Sequence, residues 1–116
     1  MLAGSIRDDG PLPEVIGDVY EAQGAMRAEL SRATTVICQA TMLHTIAAGN
    51  ITPSYCCVAD GTEPEGYEVR PVFFYAVDAD EFVVNKLLDR GSLTATTIVT
   101  NVQDFITIVA RGLKVF

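Results

Sequence analysis

Cys56 and Cys57 stand side by side in this 116-residue chain. In an extended segment adjacent side chains point to opposite faces, so two vicinal thiols are poorly placed to share one metal ion. Metal sites draw on C-x-x-C spacing together with further Cys or His. Only Cys38 and His44 remain to supply them. On a helix those two lie roughly 240° apart and do not share a face. The vicinal pair therefore reads as small apolar side chains rather than a redox couple, and neither a metal nor another cofactor is expected.

His44 is the only histidine. To act as a base, or to activate a thiol, it needs a partner brought in by the fold, such as Cys56, Cys57 or Asp104. It is the one catalytic candidate, weighed against a plain hydrogen-bonded histidine in an apolar helix. Asp78, Asp80 and Glu81 form a carboxylate cluster of the kind that holds a cation. The same residues make a capping-box variant, with Asp78 accepting from the Glu81 N–H and Glu81 reaching back. The hydroxyls of Thr94, Thr96, Thr97 and Thr100 are ordinary strand composition. Tyr55, Tyr67, Phe73, Phe74 and Tyr75 gather in one region. Among them Tyr55, Phe74 and Tyr75 are the candidate contacts for a ligand or protein partner. The phosphate-binding patterns G-x-x-x-x-G-K-[ST] and G-x-G-x-x-G are absent, as are H-E-x-x-H and G-x-S-x-G.

The elements that would carry these residues follow from periodicity. Apolar positions recur every three or four residues from Val15 through Val19, Ala22, Met26, Leu30, Ala33, Ile37, Ala40 and Leu43 to Ala47, which is helical spacing. Pro11 and Pro13 suit a helix start, and Gly49-Asn50 suits its end. The expectation is one long helix, or a pair broken near Ser31 to Thr35, where Thr34-Thr35-Val36-Ile37 is a β-branched weak point. Its second half, Ala33 to Ala48, carries no charge and needs cover on most sides. Two extended segments follow, Ile51 to Ala59 and Tyr67 to Val77. The turn chemistry between them predicts a β-hairpin. Pro71 cannot donate to a ladder and suits an edge or bulge. A helix is expected over 79–90 and a strand over 93–100. Residues 102–111 read either as a helix capped by Asn101 or as a second strand hairpinned through Asn101 to Asp104, with the helix preferred.

Composition bounds the function. Eight Lys and Arg against fifteen Asp and Glu leave a net charge of −7. That argues against nucleic-acid binding, which needs a basic patch, and against a polybasic membrane anchor. No apolar stretch is long enough to predict a transmembrane helix, and Met1 to Gly10 has no signal-peptide pattern. An odd cysteine count fits reduced thiols and a cytoplasmic setting.

The predicted architecture is α+β, with a long N-terminal helix (or helix pair) and a second helix packed on a small, mainly antiparallel sheet. Residues 1–11 are expected to be a flexible leader and 12–116 a single domain. The uncharged helix half, with Val72 and Phe74 on a second sheet face, predicts a homo-oligomer, a dimer first. The leading functional reading is a small acidic binding or adaptor protein without catalysis, recognising a protein or a small apolar or cationic ligand. The alternative is a small enzyme with a helix–sheet pocket that uses His44 with a cysteine or carboxylate.

Overall fold

Two heavy atoms on Cβ crowd the preceding helical turn and suit a pleated strand. The run Thr34-Thr35-Val36-Ile37 accordingly enters strand β1 (Thr35–Gln39). The computed structural model describes residues 1, 3, 15–59, 61, 66–90 and 95–115. Helix α1 (Val19–Leu30) precedes β1 and helix α2 (Met42–Ile51) follows it. The expected long helix, or helix pair, is thus corrected to helix, strand, helix. The apolar spacing runs through β1 only by position. Within the strand Val36 and Cys38, two residues apart, are half-buried, while Ile37 is 46% exposed. Helix α1 begins later than expected, at Asp18, whose Oδ1 accepts from the Glu21 N–H at 2.9 Å. Pro11, Pro13 and most of the expected leader lie outside the described residues. Ala3 forms an isolated parallel bridge with Ile16.

The hairpin forms from β2 (Tyr55–Ala59) and β3 (Tyr67–Pro71), antiparallel and in a sheet of their own. The expected strand over 67–77 does not continue as one strand. The Val72 N–H donates to the Ser54 carbonyl at 2.9 Å, and the next N–H, of Phe73, donates to the Thr34 carbonyl at 3.0 Å. The chain changes sheets within one residue, directly after Pro71. Strand β4 (Phe73–Asp78) then enters the main sheet.

That sheet has the order β1-β4-β5, with β5 spanning Ala95–Val99, and both pairings are parallel. Helix α3 (Glu81–Arg90) joins β4 to β5, and α4 (Val102–Gly112) follows β5. The mainly antiparallel α+β expectation is therefore corrected to a βαβαβ unit of a parallel α/β sheet, with the hairpin inserted between α2 and β4. Parallel strands covered on both faces read as continuous apolar runs without alternation. Phe73-Phe74-Tyr75-Ala76-Val77 is such a run. Phe74, Ala76 and Val77 are at most 2% exposed and form the core together with Ala48 of α2, Val72 and Val84 of α3. Val72 and Phe74 are thus covered within the chain and do not supply the self-association face expected of them. Among the described residues no helix is long and apolar enough to cross a membrane.

The cap of α3 also differs from expectation. Asp78 Oδ1 accepts from the Asp80 N–H, and Asp80 Oδ1 accepts from the Phe82 N–H, both at 2.9 Å. Capping has moved two residues along, because β4 extends through Asp78. At α4 the preferred helix is present, and Asn101 Oδ1 accepts from the Gln103 N–H at 2.8 Å.

Candidate functional site

A parallel sheet brings every strand-to-helix turn to the same edge. Here the turns 39–42, 78–81 and 99–102 meet at the carboxyl ends of β1, β4 and β5. Two hydrogen bonds stitch this edge beyond the strands. The Ala40 N–H donates to the Val77 carbonyl at 3.0 Å, and the Thr100 N–H donates to the Asp78 carbonyl at 2.9 Å. Open parallel α/β sheets bind ligands in the crevice outside this edge.

The first turn of a helix carries unpaired N–H groups and a partial positive charge. Helices α1, α3 and α4 engage theirs with Asp18, Asp80 and Asn101, and each has an acid in its first turn, Glu21, Glu81 and Asp104. Helix α2 has neither. Its N-cap, Thr41, makes no side-chain cap bond to a backbone N–H of the first turn, and no acid lies in that turn. The Thr41 hydroxyl instead lies 2.9 Å from His44 Nδ1. The Thr45 hydroxyl donates back to the Thr41 carbonyl. Cys38 of β1 hydrogen-bonds Thr45, which partly offsets the burial that raises its thiol pKa. A protonated thiol is a poor nucleophile, so Cys38 serves as packing. The turn before α2 is unusual too. Ala40 has φ 54°, the left-handed region that disfavours a residue with a Cβ. The result is a tight β1–α2 turn with an uncovered helix N-terminus, beside the carboxylate of Asp78 at the end of the neighbouring strand.

The residues singled out from sequence fall in different places. His44 lies in the first turn of α2, half-buried, bonded to Thr41 rather than to a cysteine or carboxylate. Cys56 and Cys57 sit on β2, one half-buried and one exposed, both free thiols. Tyr55 is 61% exposed on the hairpin, whereas Phe74 is 1% exposed in the core. Tyr75 lies mid-β4 between Ile37 and Thr96. The structure does not gather these three aromatics on one surface. Among the described residues no group of three or more His, Cys, Asp or Glu is placed to hold a metal. Sequence reasoning missed Ala40, Thr41 and the open turn of α2. The available signal was a β-branched run leading directly into an acid-free helix start.

Residues 1–64 match the family described as arginine dihydrolase ArgZ-like, C-terminal, Rossmann fold. The chain belongs to this family. It is 46% identical over 114 residues to an ornithine cyclodeaminase of Methanopyrus kandleri, covering 98% of this chain and 24% of that protein. It is 36% identical over 113 residues to the bifunctional arginine dihydrolase/ornithine cyclodeaminase AgrE of Nostoc sp., covering 97% of this chain and 14% of that one. A solved LOR/SDH protein of Methanococcus maripaludis superposes with a TM-score of 0.76 at 37% identity, over 97% of this chain and 29% of that chain. AgrE in ternary complex with ornithine and NAD+ superposes with a TM-score of 0.72 at 37% identity, over 97% of this chain and 14% of that chain. The chain thus spans about a quarter of the archaeal cyclodeaminases it matches. These relatives overturn the reading of a non-catalytic adaptor: they are enzymes, and this chain corresponds to a Rossmann-like C-terminal domain of such enzymes. The enzyme alternative is the better supported of the two sequence readings.

Proposed function

We propose that this chain is the nucleotide-holding Rossmann unit of an ornithine cyclodeaminase and binds NAD+ at the carboxyl edge of its sheet. The observation that carries the reading is the open N-terminus of α2 directly after β1, where Rossmann units seat a pyrophosphate. Thr41 and the first-turn N–H groups of α2 would hold phosphate oxygens. Asp78, at the end of the second parallel strand, stands where such folds place the carboxylate that accepts from a ribose hydroxyl pair. One of its oxygens is engaged by the Asp80 N–H, which orients the carboxylate. The glycine fingerprint is replaced by Ala40, Met42 and Thr45. Ala40 still adopts the left-handed turn. Met42 brings a side chain to the first helical position, so the phosphates would be held by the helix end rather than by close backbone approach along a glycine loop. When bound, NAD+ supplies a hydride acceptor. The residues of this chain hold and orient it and exclude acids from the phosphate side.

The test is calorimetric titration of NAD+ into the 116-residue chain and its Asp78→Ala variant. A hydrogen bond to a charged group is worth about 1.5–3 kcal/mol, so the substitution should weaken NAD+ binding by about 10- to 150-fold. Equal affinity in the two proteins would remove Asp78 from the site. The free thiols Cys38, Cys56 and Cys57 support a cytoplasmic setting. Self-association is proposed through the hairpin, where Tyr55, Tyr67 and Val69 are each more than 60% exposed.

A further inference from the structure

Strands β2 and β3 form a ribbon whose two faces differ in kind. Residues directly opposite each other in an antiparallel pair share a face. The register therefore puts Tyr55 with Pro71, Cys57 with Val69, and Ala59 with Tyr67 on one side. All six are exposed, and none is charged. The other side carries Cys56 and Val58, which are half-buried, and Glu68 and Arg70, joined by an ion pair at 2.8 Å. An antiparallel sheet with one covered face ordinarily packs its apolar side and solvates its polar one. Here the uncharged side is the one left exposed.

Shape, area and charge select the occupant. Each strand opens on a tyrosine and ends on a small or compact residue, Tyr55 to Ala59 in β2 and Tyr67 to Pro71 in β3. Because the strands are antiparallel, the two tyrosines stand at diagonal corners of the face, with the Cys57–Val69 pair at its centre. A second ribbon can be laid on this face about a two-fold axis lying in it, either along or across the strands. Each tyrosine ring then comes down on the partner's Ala59 or the partner's Pro71, never on another ring. The face is thus complementary to itself, as an isologous interface requires. A tyrosine can bury about 150–250 Å². With Tyr55 61%, Tyr67 63% and Val69 63% exposed, the face offers on the order of 500 Å² per copy. Two copies bury on the order of 1,000 Å², the lower bound of a specific interface, so the dimer is weak and reversible. A chain of net charge −7 repels its own copy, and an uncharged face is where two copies meet at least cost. We propose that the apolar face of the β2–β3 ribbon is a two-fold interface between two copies of this chain, with Cys57 at its centre. The proposal rests on the self-association reading and gives it a face and a symmetry.

The experiment is sedimentation velocity of the 116-residue chain and its Val69→Asp variant, from about 1 μM to about 1 mM. The unsubstituted chain should pass from monomer to dimer within that range. The midpoint should move to lower concentration between about 0.05 M and 0.5 M salt, because screening weakens the repulsion between two acidic copies. Val69→Asp brings a carboxylate from each copy to the centre of the face and should raise the dissociation constant at least about tenfold. A short bismaleimide supplies a second measurement that needs no substitution in the face. Neighbouring strands lie about 4.8 Å apart, so either axis leaves the two Cys57 side chains within one strand spacing of each other. The reagent should yield a covalent dimer, and Cys57→Ser should abolish it. A chain that stays monomeric throughout overturns the proposal and the self-association reading together. A dimer that Val69→Asp does not weaken, or that does not cross-link through Cys57, overturns this face and leaves self-association standing. NAD+ titration of the same samples tests the nucleotide reading separately, because the carboxyl edge belongs to the other sheet.

Discussion

Replacing Thr41 by Asp should stabilise the fold and damage nucleotide binding at once. Thr41 occupies the N-cap of α2 without a side-chain bond to a first-turn N–H, so those backbone donors have no cap partner. An aspartate there would accept from them, a gain of about 1 kcal/mol, with about 0.5 kcal/mol more from the helix dipole. The lost Thr41–His44 hydrogen bond costs about 1 kcal/mol. The net is a gain of about 0.5 kcal/mol, which raises Tm by about 2–3 °C in a chain of this size. A phosphate held by the same donors would meet a carboxylate at about 5 Å. At an effective dielectric near 20 that repulsion is about 3 kcal/mol, equivalent to more than about a hundredfold in Kd. Calorimetry reads both quantities on one preparation. Thr41→Val serves as the comparison, because it removes the hydroxyl that would donate to a phosphate oxygen without adding charge. Losing one hydrogen bond to a charged group, about 1.5 kcal/mol, should weaken NAD+ binding by about tenfold, well short of the loss expected for Thr41→Asp. A Thr41→Asp protein with raised Tm and unchanged Kd would refute the assignment of α2 as the phosphate-binding helix.

Other consequences follow from packing and burial. Phe74 is 1% exposed in the central strand, so Phe74→Ala should cost about 3–5 kcal/mol, read as a lowered urea midpoint with unchanged slope. Asn101→Ala removes the bond to the Gln103 N–H and should cost about 1 kcal/mol, measured the same way. Cys57 is exposed and Cys38 half-buried with its pKa raised by burial, so iodoacetamide should modify Cys57 first, as followed by mass spectrometry. Burial holds the folded Cys38 thiol above the ordinary thiol range to which it returns on unfolding. The native state therefore holds the extra proton in that window, and stability should fall as pH rises through it. Cys38→Ala should flatten that part of the profile.

The difference between expected and observed folds concentrates at two points. Around Thr34–Ile37 the helical spacing of apolar residues and the β-branched composition pointed opposite ways. Local periodicity favoured a helix, but pairing with β4, register Val36 to Phe74 and Cys38 to Ala76, made the strand. At Val72 an unbroken apolar run conceals a change of sheet that depends on Ser54 and Thr34, residues remote in sequence. The amphipathic segments before Leu30, after Glu81 and after Asn101 were legible because a helix with one apolar stripe is specified locally. The candidate site was less legible. Asp78 and His44 stood out as polar side chains, but Asp78 looked like a helix cap and His44 lacked a partner. The open turn of α2 is made of backbone groups, which carry no residue signature.

The sequence by itself determined the acidic balance, the amphipathic segments of α1, α3 and α4, the hairpin and the Asn101 cap, because each depends on composition or on residues a few positions apart. Only the tertiary structure decided that the sheet is parallel, that three helix starts converge on one edge, and that one of them is uncovered. Parallel pairing joins segments separated by a whole crossover, so no local pattern records which strands meet. The edge where they end exists only once they have met.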